Sequence, residues 1–139
     1  MKVKKHKHKS KLLIIEGSSV LVLEKKEGKK RFILAGGFLK KGESPVEGLF
    51  REVYEETGVN LTLEDIKFFF SSTQIESNQN ALTRHYFLLI KKEHKFENKE
   101  LEKFKSLKWV EWKKVVKFIN ESDKNAIESL FNCNNSANE

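Results

Sequence analysis

One cysteine and one proline stand in this chain of 139 residues. With Cys133 alone, no internal disulfide forms and no thiolate cage for a metal can be built, which suits a reducing cytoplasm. Long apolar runs are missing too. Nothing approaches the ~18 residues of a spanning helix, and "LLII" behind the lysine-rich start is too short for a secretory core. The expectation is a cytoplasmic chain with no membrane partner. Seven glycines without a period exclude a collagen-like chain, and eleven phenylalanines exclude a disordered composition. No Ser/His/Asp set, P-loop or dinucleotide-binding glycine pattern is present. The length suits one domain, as monomer or homodimer.

What the chain does have is positive charge, +7 overall, with six lysines among its first eleven residues. Residues 1–10 therefore read as a solvated basic arm, residues 11–131 as the folded domain and residues 132–139 as a polar tail. The arm leaves RNA open as a partner through its attraction for phosphates. His6 and His8 alternate with these lysines, whose charge opposes a metal there.

"KLLIIE", "SVLVLEKK" and "RFIL" are short apolar runs divided by Gly17–Ser19 and by a turn around Gly28, so each reads as a strand. "IKFFFSSTQIE" and "ALTRHYFLLIKKE" read as a long hairpin turning at Ser77–Asn80. "LKWVEW" begins as a strand and then places Trp112, Val115, Val116 and Ile119 at helical spacing, and a short helix follows around Asp123–Phe131. His85, Tyr86, Phe68 to Phe70, Trp109 and Trp112 are expected to serve packing before substrate. The sum is an α/β (α+β) sandwich: a mixed β-sheet flanked by two or three helices.

Against the basic background, "GGFLKKGESPVEGLFREVYEETGV" gathers four glutamates and an arginine between Glu47 and Glu56. Ser44 as N-cap, Pro45 at the first helical position and Glu47 completing a capping box open a helix, and Gly58 closes it. On a helical wheel Val46, Leu49, Phe50 and Val53 form the core side, and Arg51, Glu52, Glu55 and Glu56 fall opposite. Three carboxylates crowded at a helix C-terminus repel one another and the dipole. A single Arg51 cannot neutralise them, whereas a hard divalent cation prefers such an oxygen-only cluster.

Gly37, Glu43 and the run Arg51-Glu52-Val53-Tyr54-Glu55-Glu56-Thr57-Gly58-Val59 resemble the Nudix box at every defined position. The resemblance implies an α/β/α sandwich and a divalent-cation-dependent hydrolase of a nucleoside diphosphate linked to another moiety, using Mg²⁺ or Mn²⁺. It implies Glu52 and Glu56 as principal metal ligands, with Glu55 and the Gly36 carbonyl in support. Arg51 would position the glutamates, Glu43 and Gly37 would be accessory, and Glu52 would take a proton from the attacking water. Glu100 and Glu102 stand as further ligand or base candidates. A nucleoside triphosphate is the expected substrate. An ADP-ribose or dinucleoside-polyphosphate substrate, an RNA 5′ end and a non-catalytic nucleotide- or RNA-binding module remain open. Two positions depart from the family's habit: Ala35 stands where proline is usual, and Gly48 sits mid-helix, at a cost of about 1 kcal/mol.

Overall fold

The computed structural model describes residues 3–91 and 93–137, with side chains as far as residue 132. Its centre is a mixed four-stranded sheet made of β1 (His6–Leu13), β5 (Ala35–Phe38), β6 (Ile66–Ile75) and β7 (Ala81–Leu89), in the order β5-β1-β7-β6. β1 runs parallel to β7 and antiparallel to β5, while β6 and β7 form the expected hairpin. A second, antiparallel sheet joins β2 (Ile15–Glu16), β3 (Ser19–Lys25), β4 (Phe32–Ile33) and β8 (Phe104–Glu111).

Alternation along β1 sets the layers. Leu12 turns to one side of the central sheet and packs with Leu49, Val53 and Phe87, under helix α1 (Pro45–Thr57). Leu13 turns to the other side and packs with Tyr86, Ala126, Ile127 and Phe131, under helix α3 (Glu121–Ala137). A one-turn helix, α2 (Trp112–Val115), links β8 to α3. No helix among the described residues is long and apolar enough to cross a membrane.

Three expectations change, and one strand is added. Residues 6–10, read as part of a free arm, are strand: His6 to Leu13 pair in register with Ala81 to Leu88, satisfying backbone groups that charged side chains had made look solvated. Ala35–Phe38, which follows "RFIL" and holds the paired glycines, is a strand of its own on β1. The helix after Glu111 ends at Val115, short of Ile119. The last helix extends from Glu121 to Ala137, well past Phe131 and into the segment read as tail, while residues 138–139 and the Cys133 side chain lie outside the description. Of the aromatic residues expected to fill the core, Tyr86 is fully buried, whereas Phe68 and Trp109 are 53% and 45% exposed.

Candidate active site

α1 is delimited as its sequence requires. The Ser44 hydroxyl accepts from the Glu47 N–H at 3.2 Å, the Glu47 carboxylate accepts from the Ser44 N–H at 2.9 Å, and Gly58 turns left-handed at φ 78° with its N–H on the Tyr54 carbonyl. Gly48 has a packing reason to be glycine, because a Cβ would stand 2.9 Å from Leu39 Cγ.

Arg51 is the hub of the acidic cluster. Its guanidinium donates to Glu43 Oε2 at 2.8 Å and Oε1 at 2.9 Å, to Glu52 Oε1 at 3.0 Å, to Glu55 Oε1 at 3.3 Å and to the Phe38 carbonyl at 3.0 Å. This fork brings residues 38, 43, 51, 52 and 55 together and holds the Glu43 carboxyl down at about 2. Gly37 makes room for Glu52: a Cβ there would lie 2.7 Å from its carboxyl carbon.

Glu56 differs from its neighbours. It lies two turns after Leu49 and one turn after Val53, so it sits at the edge of the core arc and is 5% exposed, not on the open side of the wheel. Its Oε1 accepts from the Gly36 N–H at 2.7 Å. Gly36 holds φ 130°, and a Cβ on it would run into the Ser10 carbonyl, so only glycine brings this N–H to the acid. Burial, with repulsion from Glu52 and Glu100, pushes the Glu56 carboxyl up to about 8 against the pull of the Gly36 N–H and of Lys11. Glu52 is raised as well, mainly by burial.

Glu100 and Glu102 separate. The segment between β7 and β8 crosses the end of α1, with the Lys99 N–H on the Glu56 carbonyl at 2.9 Å and the Glu97 N–H on the Thr57 carbonyl at 3.1 Å. It sets Glu100 where its charge bears on both Glu52 and Glu56, with Lys103 paired to it at 3.1 Å. Glu102 is exposed and its charge is felt at Lys103, and it is not among the main influences on Glu52 or Glu56. Sequence reasoning offered the two as equals because the choice depends on a chain crossing, not on local pattern.

Among the described residues no three His, Cys, Asp or Glu side chains converge closely enough to hold a metal ion in this arrangement. The donor set nonetheless fits a hard divalent cation: all oxygen, partly buried, crowded with like charge, and served by one arginine whose donors are spread over three acids.

Three cations went unnoticed in the sequence. Lys11 is 4% exposed and donates to the Leu34 carbonyl at 3.3 Å, Lys9 is half-buried, and Arg84 lies beside Lys9 on β7. The signal was the alternation in "HKHKSKLL", which places Lys7, Lys9 and Lys11 on one side of a strand. His85 joins His8 and His6 on the other side in a stacked row, its Nε2 3.0 Å from His8 Nδ1.

A family model described as NUDIX domain matches residues 6–130. No curated protein matches the chain significantly. Solved structures share the fold at low identity. A MutT NUDIX hydrolase from Burkholderia pseudomallei is 16% identical with TM-score 0.75, covering 90% of this chain and 98% of that one. The MutT protein of Methanosarcina mazei is 20% identical with TM-score 0.74, covering 96% and 99%. An E. coli dihydroneopterin triphosphate pyrophosphohydrolase is 19% identical with TM-score 0.69, covering 91% and 97%.

Proposed function

The chain belongs to the NUDIX domain family, whose hydrolases cut phosphoric anhydrides with divalent cations, and from that premise we propose that it hydrolyses the pyrophosphate bond of a nucleoside triphosphate in a reducing cytoplasm. The observation that carries the reading is the state of α1: Glu52 and Glu56 are held partly or wholly out of water, both with raised carboxyls, beside an arginine already shared among three acids. As purely structural groups they would weaken the helix.

Glu52, Glu55, Glu56 and the Gly36 carbonyl would hold Mg²⁺ or Mn²⁺, with Glu100 as a further acid. When bound, the cation supplies charge to offset the phosphate oxygens and acidity to the attacking water. Arg51 keeps Glu52 and Glu55 in place through its charged hydrogen bonds, and its pairing with Glu43 ties that fork to the loop before α1. Glu52 takes one proton from water as the new phosphorus–oxygen bond forms and the bridging phosphorus–oxygen bond breaks. The bridge that breaks joins the first and second phosphorus, the proton passes on to solvent, and nucleoside monophosphate and pyrophosphate depart as anions.

The triphosphate is favoured over a diphosphate-linked sugar because Lys11 lies within the field of Glu56 and the sheet surface beyond it, at Lys9 and Arg84, is cationic. A screen of phosphate and pyrophosphate release over standard and oxidised nucleoside triphosphates, ADP-ribose, dinucleoside polyphosphates and 5′-triphosphorylated RNA, with and without Mg²⁺ or Mn²⁺, tests it. Cation-dependent pyrophosphate release from triphosphates is the expected result. Silence across the panel with both metals defeats the hydrolase reading in favour of a binding module.

A further inference from the structure

β1 lies inside the central sheet, between β5 and β7, where a strand ordinarily carries apolar side chains on both sides. It carries lysines instead. Lys11 pairs in register with Gly36 on one side and Tyr86 on the other, and Lys9 pairs with Phe38 and Arg84. Residues in register share a side of the sheet, so Lys9, Lys11 and Arg84 stand together on the α3 side, and Lys11 reaches the field of Glu56. Lys9 and Arg84 come two residues farther along the strands, roughly 7 Å away.

These cations are short of partners. Among the ion pairs between described residues, none involves Lys9, Lys11, Arg31 or Arg84. Arg84 donates from Nη1 to Gln74 at 3.2 Å, but its buried Nε has no partner among the described residues. Asp123 attracts Lys9, yet its Oδ1 already accepts from the Tyr86 hydroxyl at 2.7 Å and its Oδ2 from the Asn120 amide at 2.9 Å. Burial and the charges of Lys11, Arg84 and Arg31 together draw the Lys9 ammonium down to about 8, the mark of a crowded cationic spot without a counter-ion. Lys9 Nζ also lies 4.4 Å from the ring centre of Phe38, which is 47% exposed at the rim. An unneutralised, half-buried set of donors is costly for the fold alone and well suited to a phosphate.

We propose that Lys9 and Arg84 hold the third phosphate of the substrate, the one beyond the diphosphate bound at the acidic corner. The chain then selects tri- and longer polyphosphates over diphosphates capped by a neutral sugar. Lys11 links the two places, since it feels the charge of Glu56 and stands one strand repeat, roughly 7 Å, from Lys9 and Arg84. This assignment deepens the hydrolase reading and rests on it for the diphosphate site.

Kinetics of the wild type, Lys9→Gln, Lys9→Arg and Arg84→Gln on ATP, GTP and ADP-ribose test it, together with calorimetric binding of inorganic tripolyphosphate and pyrophosphate in Mg²⁺. Lys9→Gln and Arg84→Gln are expected to raise the KM for triphosphates by at least about tenfold, the usual scale for losing a charged hydrogen bond. Their kcat stays within about twofold, and the KM for ADP-ribose does not move. Lys9→Arg retains most of the affinity. The wild type prefers tripolyphosphate to pyrophosphate by at least about tenfold, and both glutamine variants lose that preference. Equal changes for ATP and ADP-ribose, or equal wild-type affinity for the two inorganic ions, overturn the assignment. If nothing is hydrolysed, the hydrolase reading falls, and the calorimetric preference alone decides the phosphate site. Should Arg84→Gln melt early, the Lys9→Gln and Lys9→Arg pair carries the test.

Discussion

Glu24 on β3 and Glu56 on α1 are equally shielded from solvent, 3% and 5% exposed, but Glu56 is enclosed far more deeply by protein, and their charged surroundings are opposite. Glu24 is clamped by two lysines of β8, Lys108 at 3.0 Å and Lys105 at 3.2 Å, and those hydrogen bonds hold its carboxyl below the usual range despite burial. Glu56 has one backbone N–H, the more distant Lys11 and two acids around it, and burial raises its carboxyl to about 8. Burial by itself does not decide whether an acid is charged. Depth acts together with the number and sign of its partners, and the deeply enclosed acid left short of cationic partners is the one placed to take a cation.

The largest effect should come from the acidic corner. Glu52→Gln is expected to lower turnover by at least about a hundredfold while circular dichroism and the melting profile stay native, the size typical of a lost acid–base group. A fully active variant would move the base elsewhere, with Glu100 the next to test. On the other side of the comparison, Glu24→Gln should cost about 1–3 kcal/mol in urea unfolding, the range for charged hydrogen bonds to a buried group, equally with and without Mg²⁺. No loss would mean that the two lysines, 57% and 44% exposed, simply return to water.

Glu56→Gln sharpens the contrast through pH. The folded carboxyl titrates near 8 and the unfolded one near 4.5, so between those values the folded chain binds the extra proton. Its contribution to stability is full below pH 4.5 and is lost as pH rises towards 8. The metal-free wild type should therefore lose melting temperature across that window, and the variant should lose less. Mg²⁺ should raise the wild-type melting temperature by mass action and leave the variant nearly unmoved. A similar Mg²⁺ shift in both would remove Glu56 from the ligand set. The smallest expected change concerns Lys9: above about pH 8 it sheds its charge, so the KM for a triphosphate should climb, and Lys9→Arg should flatten that rise. A parallel climb in both would assign the titration to another group.

The acidic helix was legible because everything that defines it is local. Ser44, Pro45, Glu47 and Gly58 mark its ends through bonds to residues within four positions, and Arg51 reaches Glu52 and Glu55 by the same helical geometry. The glycines before it give no strand reading, because a strand of two glycines carries no propensity signal. Ser10 and Glu52, whose approach forbids a side chain there, come from elsewhere in the chain. The lysines of β1 were read as arm for a related reason: charge masks strand alternation, and only pairing with β7 shows that they are interior.

By itself the amino-acid sequence determined a capped helix carrying Glu52, Glu55, Glu56 and Arg51 at metal-binding spacing, since a helix follows from contacts between near neighbours. The tertiary structure decided which of those acids is buried, which outlying glutamate joins them, and that Lys9 meets Arg84 across two strands. Burial and field depend on strand register and chain crossings, where residues remote in sequence come within a few ångströms and water is excluded between them.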